Sequence, residues 1–432
     1  MRWSLGDDDG PGGWARAGRE LRKGEHYVEG ACRSVRLTPQ KGGALGITLG
    51  PPLSRRERTR AGRSRLIGKD FGPLRPGVFF ESFNGKSSGG NPRAILDALQ
   101  GDTGAPLWWS VVDGTVPVPP GATPVVAGTE AWFSALRTSQ VLITNNNFPH
   151  WFSKLPGQMV VQTWHGTPIK RLIHDAPPSF TPLVYRRLIR RQAGEWDLLL
   201  AQDGEAERRL RSALQYDGPV HLGEQPCNVR LAQGDRGRAR VRNELGIPAD
   251  DRVVLYAPTW RERMRRASGE ESLRALMDPE RLAAETGARV LVRSHHMNGL
   301  RAEGPGVIDV SAYPHVEDLM LASDVLVTDY SSIFFDYRLT GKPMLVHAPD
   351  LEWYRDVERG FYGRWPEDLG LLMSRNQDQI IDLVRTALDA DQGPVHEVNS
   401  ARESIAHLRG MIVDAMRGTV GSRTAQQDDK NL

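Results

Sequence analysis

The sequence predicts an α/β protein built as two doubly wound parallel-sheet domains that face each other across a cleft. Three observations support this. From Gly77 onward, short apolar runs bounded by turn residues alternate with amphipathic stretches, the pattern of strand–helix–strand units. The alternation comes in two successive sets, separated by a charged, turn-prone segment at residues 233–251. At 432 residues the chain is too long for one hydrophobic core, so two or three domains are expected.

Taken in order, residues 1–75 are rich in Gly, Arg, Ser and Pro, and PPLSRRERTRAGRSR at 51–65 has almost nothing to bury. A disordered or loosely attached tail is expected there, with a downstream start as the alternative. Its run Asp7, Asp8 and Asp9 reads as solvated. The first set, at 76–235, has expected strands at 78–80, 107–109, 123–126, 141–143, 159–163 and 198–200, with helices at 92–99, 132–138 and 182–191. The second, at 236–415, has strands at 253–256, 288–292, 307–309, 325–328 and 344–346, with helices at 272–277, 316–322 and 332–339. Residues 416–432 are a polar tail. Sheets of this kind bind ligands beyond the carboxyl ends of their strands, which puts a site between the two domains.

Composition narrows the function. Lys and Arg number 56 against 53 Asp and Glu, a net +3 that is too small for wholesale nucleic-acid binding. Cys32 and Cys227 lack CxxC or Cys/His spacing, so a reducing compartment is expected rather than a zinc site or disulfide framework. No apolar run approaches the roughly 18 residues of a membrane span, and no secretory pattern opens the chain. Neither GxGxxG after a strand nor a P-loop is present.

The residues able to carry chemistry fall at strand ends. In VVQTWHGTPIK, residues 160–170, an apolar strand runs into His165, Gly166, Thr167 and Pro168. An imidazole there can act as general base, the glycine admits a ligand to the backbone, and Lys170 lies within reach of an anion. Taken alone, such a histidine is more often just a turn residue. In ASDVLVTDYSSIFFD, residues 322–336, Ser331 and Ser332 open a helix, where hydroxyls and backbone N–H groups hold phosphate or simply cap. VLVRSHH, residues 290–296, ends in Arg293, His295 and His296, a fixed cation beside proton-exchanging groups, without metal-ligand spacing.

His315 and Asp318 begin another helix, where a carboxylate can hold a ribose diol or complement the dipole. FESFNGKSSGGNP, residues 80–92, offers Glu81, Asn84 and Gly85 to the acceptor side of the cleft, in ordinary turn chemistry. YAPTWR, residues 256–261, brings Pro258, Thr259 and Arg261 to a strand end, with Trp260 fit to stack on a base or to pack between domains. LVYRRLIRR, residues 183–191, gives a helix with Arg186, Arg187, Arg190 and Arg191. Such a helix can lie on an anionic membrane, or pack its apolar side on the sheet with the charges solvated.

Together, FESFNGKSSGGNP, TWHGTPIK, YAPTWR, RSHH and SDVLVTDYSSIFFDYRLTGKPMLV, spread in order over about 75–390, resemble the CDP-glycerol glycerophosphotransferases that build teichoic acid. The resemblance implies a GT-B-like architecture of two Rossmann-like domains. It implies transfer of glycerol phosphate from CDP-glycerol to a hydroxyl of a lipid-linked acceptor, with release of CMP, at the cytoplasmic face of the cell membrane. No cofactor is required by it, and no ligand pattern here indicates a divalent cation. By the resemblance His165 is the catalytic base, His295 is the second catalytic histidine, placed to steady the donor diphosphate, and Arg293, Arg261, Ser331 and Ser332 hold that diphosphate. His315, Asp318, Pro258 and Thr259 contact the nucleotide. Asp318 stands where glutamate is common, and His296 where proline is common. Transfer from CDP-ribitol, a nucleotide-sugar glycosyltransferase of the same architecture and a membrane-apposed scaffold with an inactive site are the competing expectations.

Overall fold

The computed structural model describes residues 25–28, 33–39, 45–49, 53–101, 104–259, 276–293, 304–390 and 399–417. Strands β1 (Glu25–Val28), β2 (Arg33–Pro39) and β3 (Leu45–Leu49) pair antiparallel as a small separate sheet. The helix Arg60–Gly68 follows, its first turn capped by Thr59 Oγ1. This corrects the expectation of a loose tail for that stretch. Leu66 is buried in the core, and Glu57 accepts a hydrogen bond from Glu130 N at 2.7 Å. Leu66, with Ile67 packed beside it, docks a helix otherwise rich in arginine, which composition averaged over the segment hides.

The first large sheet contains β4 (Arg75–Glu81), β5 (Leu107–Val111), β6 (Thr123–Val126), β7 (Ser139–Thr144), β8 (Met159–Gln162), β9 (Leu198–Ala201) and β10 (Val220–Leu222). Its order is β10-β9-β8-β7-β4-β5-β6, and all its pairs are parallel. The second contains β11 (Val253–Ala257), β12 (Arg289–Val292), β13 (Val307–Asp309), β14 (Val325–Thr328), β15 (Met344–His347) and β16 (Leu372–Ser374), in the order β13-β12-β11-β14-β15-β16, again all parallel. Helices cover both faces, so the central strands are unbroken apolar runs such as Val141, Leu142 and Ile143, all fully buried. The strand order reverses between β4 and β7 in one sheet and between β11 and β14 in the other. Those are the places where such sheets open a crevice.

Two further expectations change. Residues 233–251, read as a linker, contain the helix Gly234–Glu244, which the charged pattern concealed because its arginines serve internal ion pairs. Arg242 is buried and reaches Asp324 Oδ2 at 3.0 Å, and Arg238 reaches Asp324 Oδ1 at 2.6 Å. The helix Asn399–Met416, counted with the second set, packs instead on the first sheet, where Leu408, Ile412 and Met416 join Val78, Phe80 and Val141 in one core. All but the last two residues of the helix expected at 272–277 lie outside the described residues.

Candidate functional site

The two strand-order reversals face each other across a cleft of about 690 Å³. Asn84, Asn145, His165 and Lys170 line it from the first unit, and Pro258, Thr259, Arg293, Ser331 and Ser332 from the second. All of these but Asn145 were read from the sequence, and they meet in one place.

His165 follows β8 through Trp164, whose φ of 50° lies in the left-handed region that side chains rarely adopt. That turn stacks the imidazole on the Trp164 indole, with centroids 4.7 Å apart. His165 Nδ1 is 2.9 Å from the Asn145 carbonyl oxygen. A carbonyl only accepts, so Nδ1 carries the proton and Nε2 keeps its lone pair. Water reaches the ring, yet the cleft walls surround it; this desolvation, and then the Lys170 ammonium, hold its pKa below the ordinary 6.5 against the opposing pull of the Asn145 carbonyl. The imidazole is thus a neutral base at neutral pH.

Gly166 carries the His165 loop against the second unit. A Cβ at that position would lie 2.6 Å from Ser332 Oγ. Ser332 makes no capping bond to the helix Ile333–Tyr337, whereas Ser331 Oγ accepts from Ile333 N at 3.3 Å. The capping role thus falls to Ser331 and leaves the Ser332 hydroxyl toward the His165 loop. Thr167 does not line the cleft. It is buried and donates from N and Oγ1 to Gln202 Oε1, and Gln202 Nε2 in turn reaches Asp336 Oδ1 at 3.1 Å across the seam. Asp329 ties β11 to β14 by accepting from Thr259 N at 2.8 Å and Tyr330 N at 2.6 Å. Arg293 is anchored on the Tyr313 carbonyl at 2.7 Å.

Other expected residues fall elsewhere. Glu81 lies outside the cleft lining, buried at the end of β4, and accepts from Ser110 Oγ at 2.8 Å; burial pushes its pKa up to about 7. Gly85 also lies off the lining and packs its backbone on β5, its carbonyl accepting from Val112 N at 2.8 Å. His315 sits at the seam between two lining residues, Pro314 and Val316, with its pKa pushed down to about 4 by burial and then by Arg230. Asp318 is off the lining and pairs with Arg230 at 2.8 Å and Arg240 at 2.9 Å. Of this adjacent pair, the carboxylate that lines the cleft is Glu317, 2% exposed, with Oε2 unpartnered among the described residues. Expecting Asp318 there missed by one helical position. His295, His296, Trp260 and Arg261 lie outside the described residues.

Further lining residues were not anticipated: Asn145 and Asn146 after β7, Asp336, Phe180 and Arg359. The asparagines follow a strand at the reversal point, a signal the sequence did carry. Burial raises the pKa of Asp336 to about 7, while the amide of Asn228 works against the rise. Among the described residues no group of three or more His, Cys, Asp or Glu could hold a metal.

The profile of the family described as CDP-Glycerol:Poly(glycerophosphate) glycerophosphotransferase matches residues 74–409. A teichoic acid poly(glycerol phosphate) polymerase of Bacillus subtilis (strain 168) is 30% identical over 354 residues, which is 76% of this chain and 48% of that protein. The chain thus spans about half the length of that relative. A teichoic acid glycerol-phosphate transferase of Staphylococcus aureus (strain NCTC 8325 / PS 47) is 30% identical over 329 residues, 71% of this chain and 83% of that protein. Matches to ribitol-phosphate polymerases are shorter, 29% to 37% of this chain. The structure of the wall teichoic acid polymerase TagF superimposes with a TM-score of 0.71 at 27% identity, over 85% of this chain and 95% of that chain. The paired parallel sheets are accordingly GT-B-like.

Proposed function

The chain belongs to the CDP-glycerol:poly(glycerophosphate) glycerophosphotransferase family, and from that premise we propose that it transfers glycerol phosphate from CDP-glycerol to a hydroxyl of a teichoic acid acceptor and releases CMP. One observation carries the reading: His165 is oriented by Asn145 with Nε2 unprotonated, on a loop that Gly166 brings against Ser332. In the reaction the acceptor oxygen attacks the phosphorus that bears glycerol, and the bond from that phosphorus to CMP breaks. His165 Nε2 takes the hydroxyl proton. Ser331, Ser332 and Arg293 face the diphosphate and offset the charge that gathers on the departing CMP. His295 and Arg261 keep the diphosphate roles expected of them, and Glu317 accepts from the ribose hydroxyls. Glycerol is favoured over ribitol by the longer match to glycerol-phosphate enzymes.

A membrane-borne acceptor is supported by the surface beside the cleft. The helix Leu183–Ala193 leaves Leu183 64% and Val184 76% exposed, with Arg187 and Arg190 also at the surface, and Phe180 just before it lines the cleft. Arg186 and Arg191 are pinned instead, to the carbonyls of Ala176 at 2.7 Å and Phe152 at 3.0 Å. We read this face as lying on the anionic cytoplasmic leaflet. No described helix is long and apolar enough to cross a membrane.

The test is CMP release from CDP-glycerol with a lipid-linked glycerol-phosphate acceptor. CMP should vanish in His165→Ala while CDP-glycerol still binds. Turnover retained in that variant sinks the role of His165, and no CMP from the unaltered protein sinks the activity.

A further inference from the structure

The cleft holds a cationic pair assembled across the seam. Lys170, five residues after His165, forms an isolated antiparallel bridge with Phe361 of the second unit. Tyr362 N donates to the Ile169 carbonyl at 2.8 Å and Arg171 N to the Gly360 carbonyl at 3.1 Å, so the two segments run side by side. This brings Arg359 and Lys170 to one stretch of wall, and both line the cleft. The Arg359 guanidinium lies 4.3 Å over the Phe180 ring, and its Nε is buried without a hydrogen-bond partner among the described residues. Lys86 and Arg293 line the same cleft, as do Glu317, Asp336 and Glu358, so four cations meet three carboxyl groups there.

A stacked guanidinium keeps its plane fixed and its outer edge open, the geometry that grips two oxygens of one phosphate. Resting on the activity proposed above, we propose that Arg359 and Lys170 form an acceptor-side phosphate subsite. It holds the phosphate one glycerol unit back from the attacking hydroxyl and so presents that hydroxyl to His165 Nε2. Because the pair draws on both units, the subsite is complete only when the seam is closed.

The experiment compares Arg359→Gln and the charge-keeping Arg359→Lys with the unaltered protein, using CDP-glycerol and two acceptors. One is a lipid-linked glycerol-phosphate primer; the other is a monoacylglycerol, with a free hydroxyl and no phosphate. Arg359→Gln should lower the ratio of kcat/KM on the phosphate-bearing acceptor to that on the phosphate-free one by about ten-fold or more, chiefly through acceptor KM. Arg359→Lys should recover part of it. Glycerol 3-phosphate should inhibit the unaltered protein in competition with the primer and not with CDP-glycerol, a measurement that stands even where a variant fails to fold or the phosphate-free acceptor is not used. An unchanged ratio, equal losses on both acceptors, a loss seated in CDP-glycerol KM, or inhibition competitive with CDP-glycerol overturns the subsite. No CMP from the unaltered protein with either acceptor overturns the proposed activity instead.

Discussion

Adding one methyl group at Gly166 tests whether the His165 loop and the Ser332 turn act as a unit. Gly166 has φ of 134°, a conformation open mainly to glycine, and a Cβ would stand 2.6 Å from Ser332 Oγ and 3.1 Å from Ser332 Cβ. The backbone conflict alone costs about 1–3 kcal/mol, a fall of several degrees in melting temperature. To reach even a tight van der Waals separation the two loops must part by roughly 0.5 Å or more. A displacement of about 1 Å at reacting groups can cost 10²-fold, so kcat in Gly166→Ala should fall roughly ten- to a hundred-fold. Single-turnover CMP release and thermal melting measure the two effects separately. Changing Ser332→Gly in that background removes both crowding atoms but leaves the backbone conflict at residue 166, so melting temperature should recover only in part, and rate not at all, because the hydroxyl is lost with the clash. A Gly166→Ala protein with unchanged kcat and melting temperature would refute the close approach of the loops and the reasoning built on it.

Three other outcomes follow from groups already described. The His165 pKa lies below 6.5, so kcat/KM should fall on the acid side only as pH drops beneath that value; an acid limb centred above 6.5 would contradict the neutral base. Glu81 is raised from 4.5 to about 7. Between those values the folded state keeps the proton that the unfolded state has lost, so this group makes stability fall as pH rises from about 4.5 to about 7. Glu81→Gln can still accept from Ser110, and its melting temperature should fall less than the unaltered protein's over that window; parallel curves would exclude the shift. On vesicles rich in phosphatidylglycerol, Arg187→Gln with Arg190→Gln should weaken co-sedimentation about thirty-fold at low salt, at about 1 kcal/mol per arginine, with the difference shrinking as salt rises. Equal sedimentation of variant and unaltered protein at low salt would remove the proposed membrane face.

The buried strands were legible because a parallel strand covered on both faces is a continuous apolar run, as in Val253 to Ala257 or Val325 to Thr328. The edge strands Val220–Leu222 and Leu372–Ser374 were not; each has three residues, partly exposed, and reads like a loop. Ion pairs hid the helix Gly234–Glu244, since an arginine that meets Asp324 far along the chain looks locally like a solvated charge. At the site, His165 and the serine pair were legible because a polar residue ending an apolar strand at a reversal point has one direction to face. Helical phase was harder: Glu317 and Asp318 are adjacent carboxylates, and only packing against Arg230 and Arg240 decides which one turns from the cleft. Arg359 was invisible because its importance comes from a bridge between segments nearly two hundred residues apart, Lys170 with Phe361.

The return of the helix Asn399–Met416 to the first sheet also sets an order on how the protein is made. Val78, Phe80 and Val141 share their core with Leu408, Ile412 and Met416. The helix Gly90–Leu99 brings Ile95, Leu96 and Leu99 to the same core early, but a ribosome releases the first sheet with the rest of that apolar face open, and keeps it so until the whole second unit has been synthesised and the last described helix emerges. During that interval the unfinished half is exposed to aggregation and chaperone capture, while the second sheet can close over its own residues. The late helix acts as the final step that makes the first half native, and by the time it docks both walls of the cleft are already in hand.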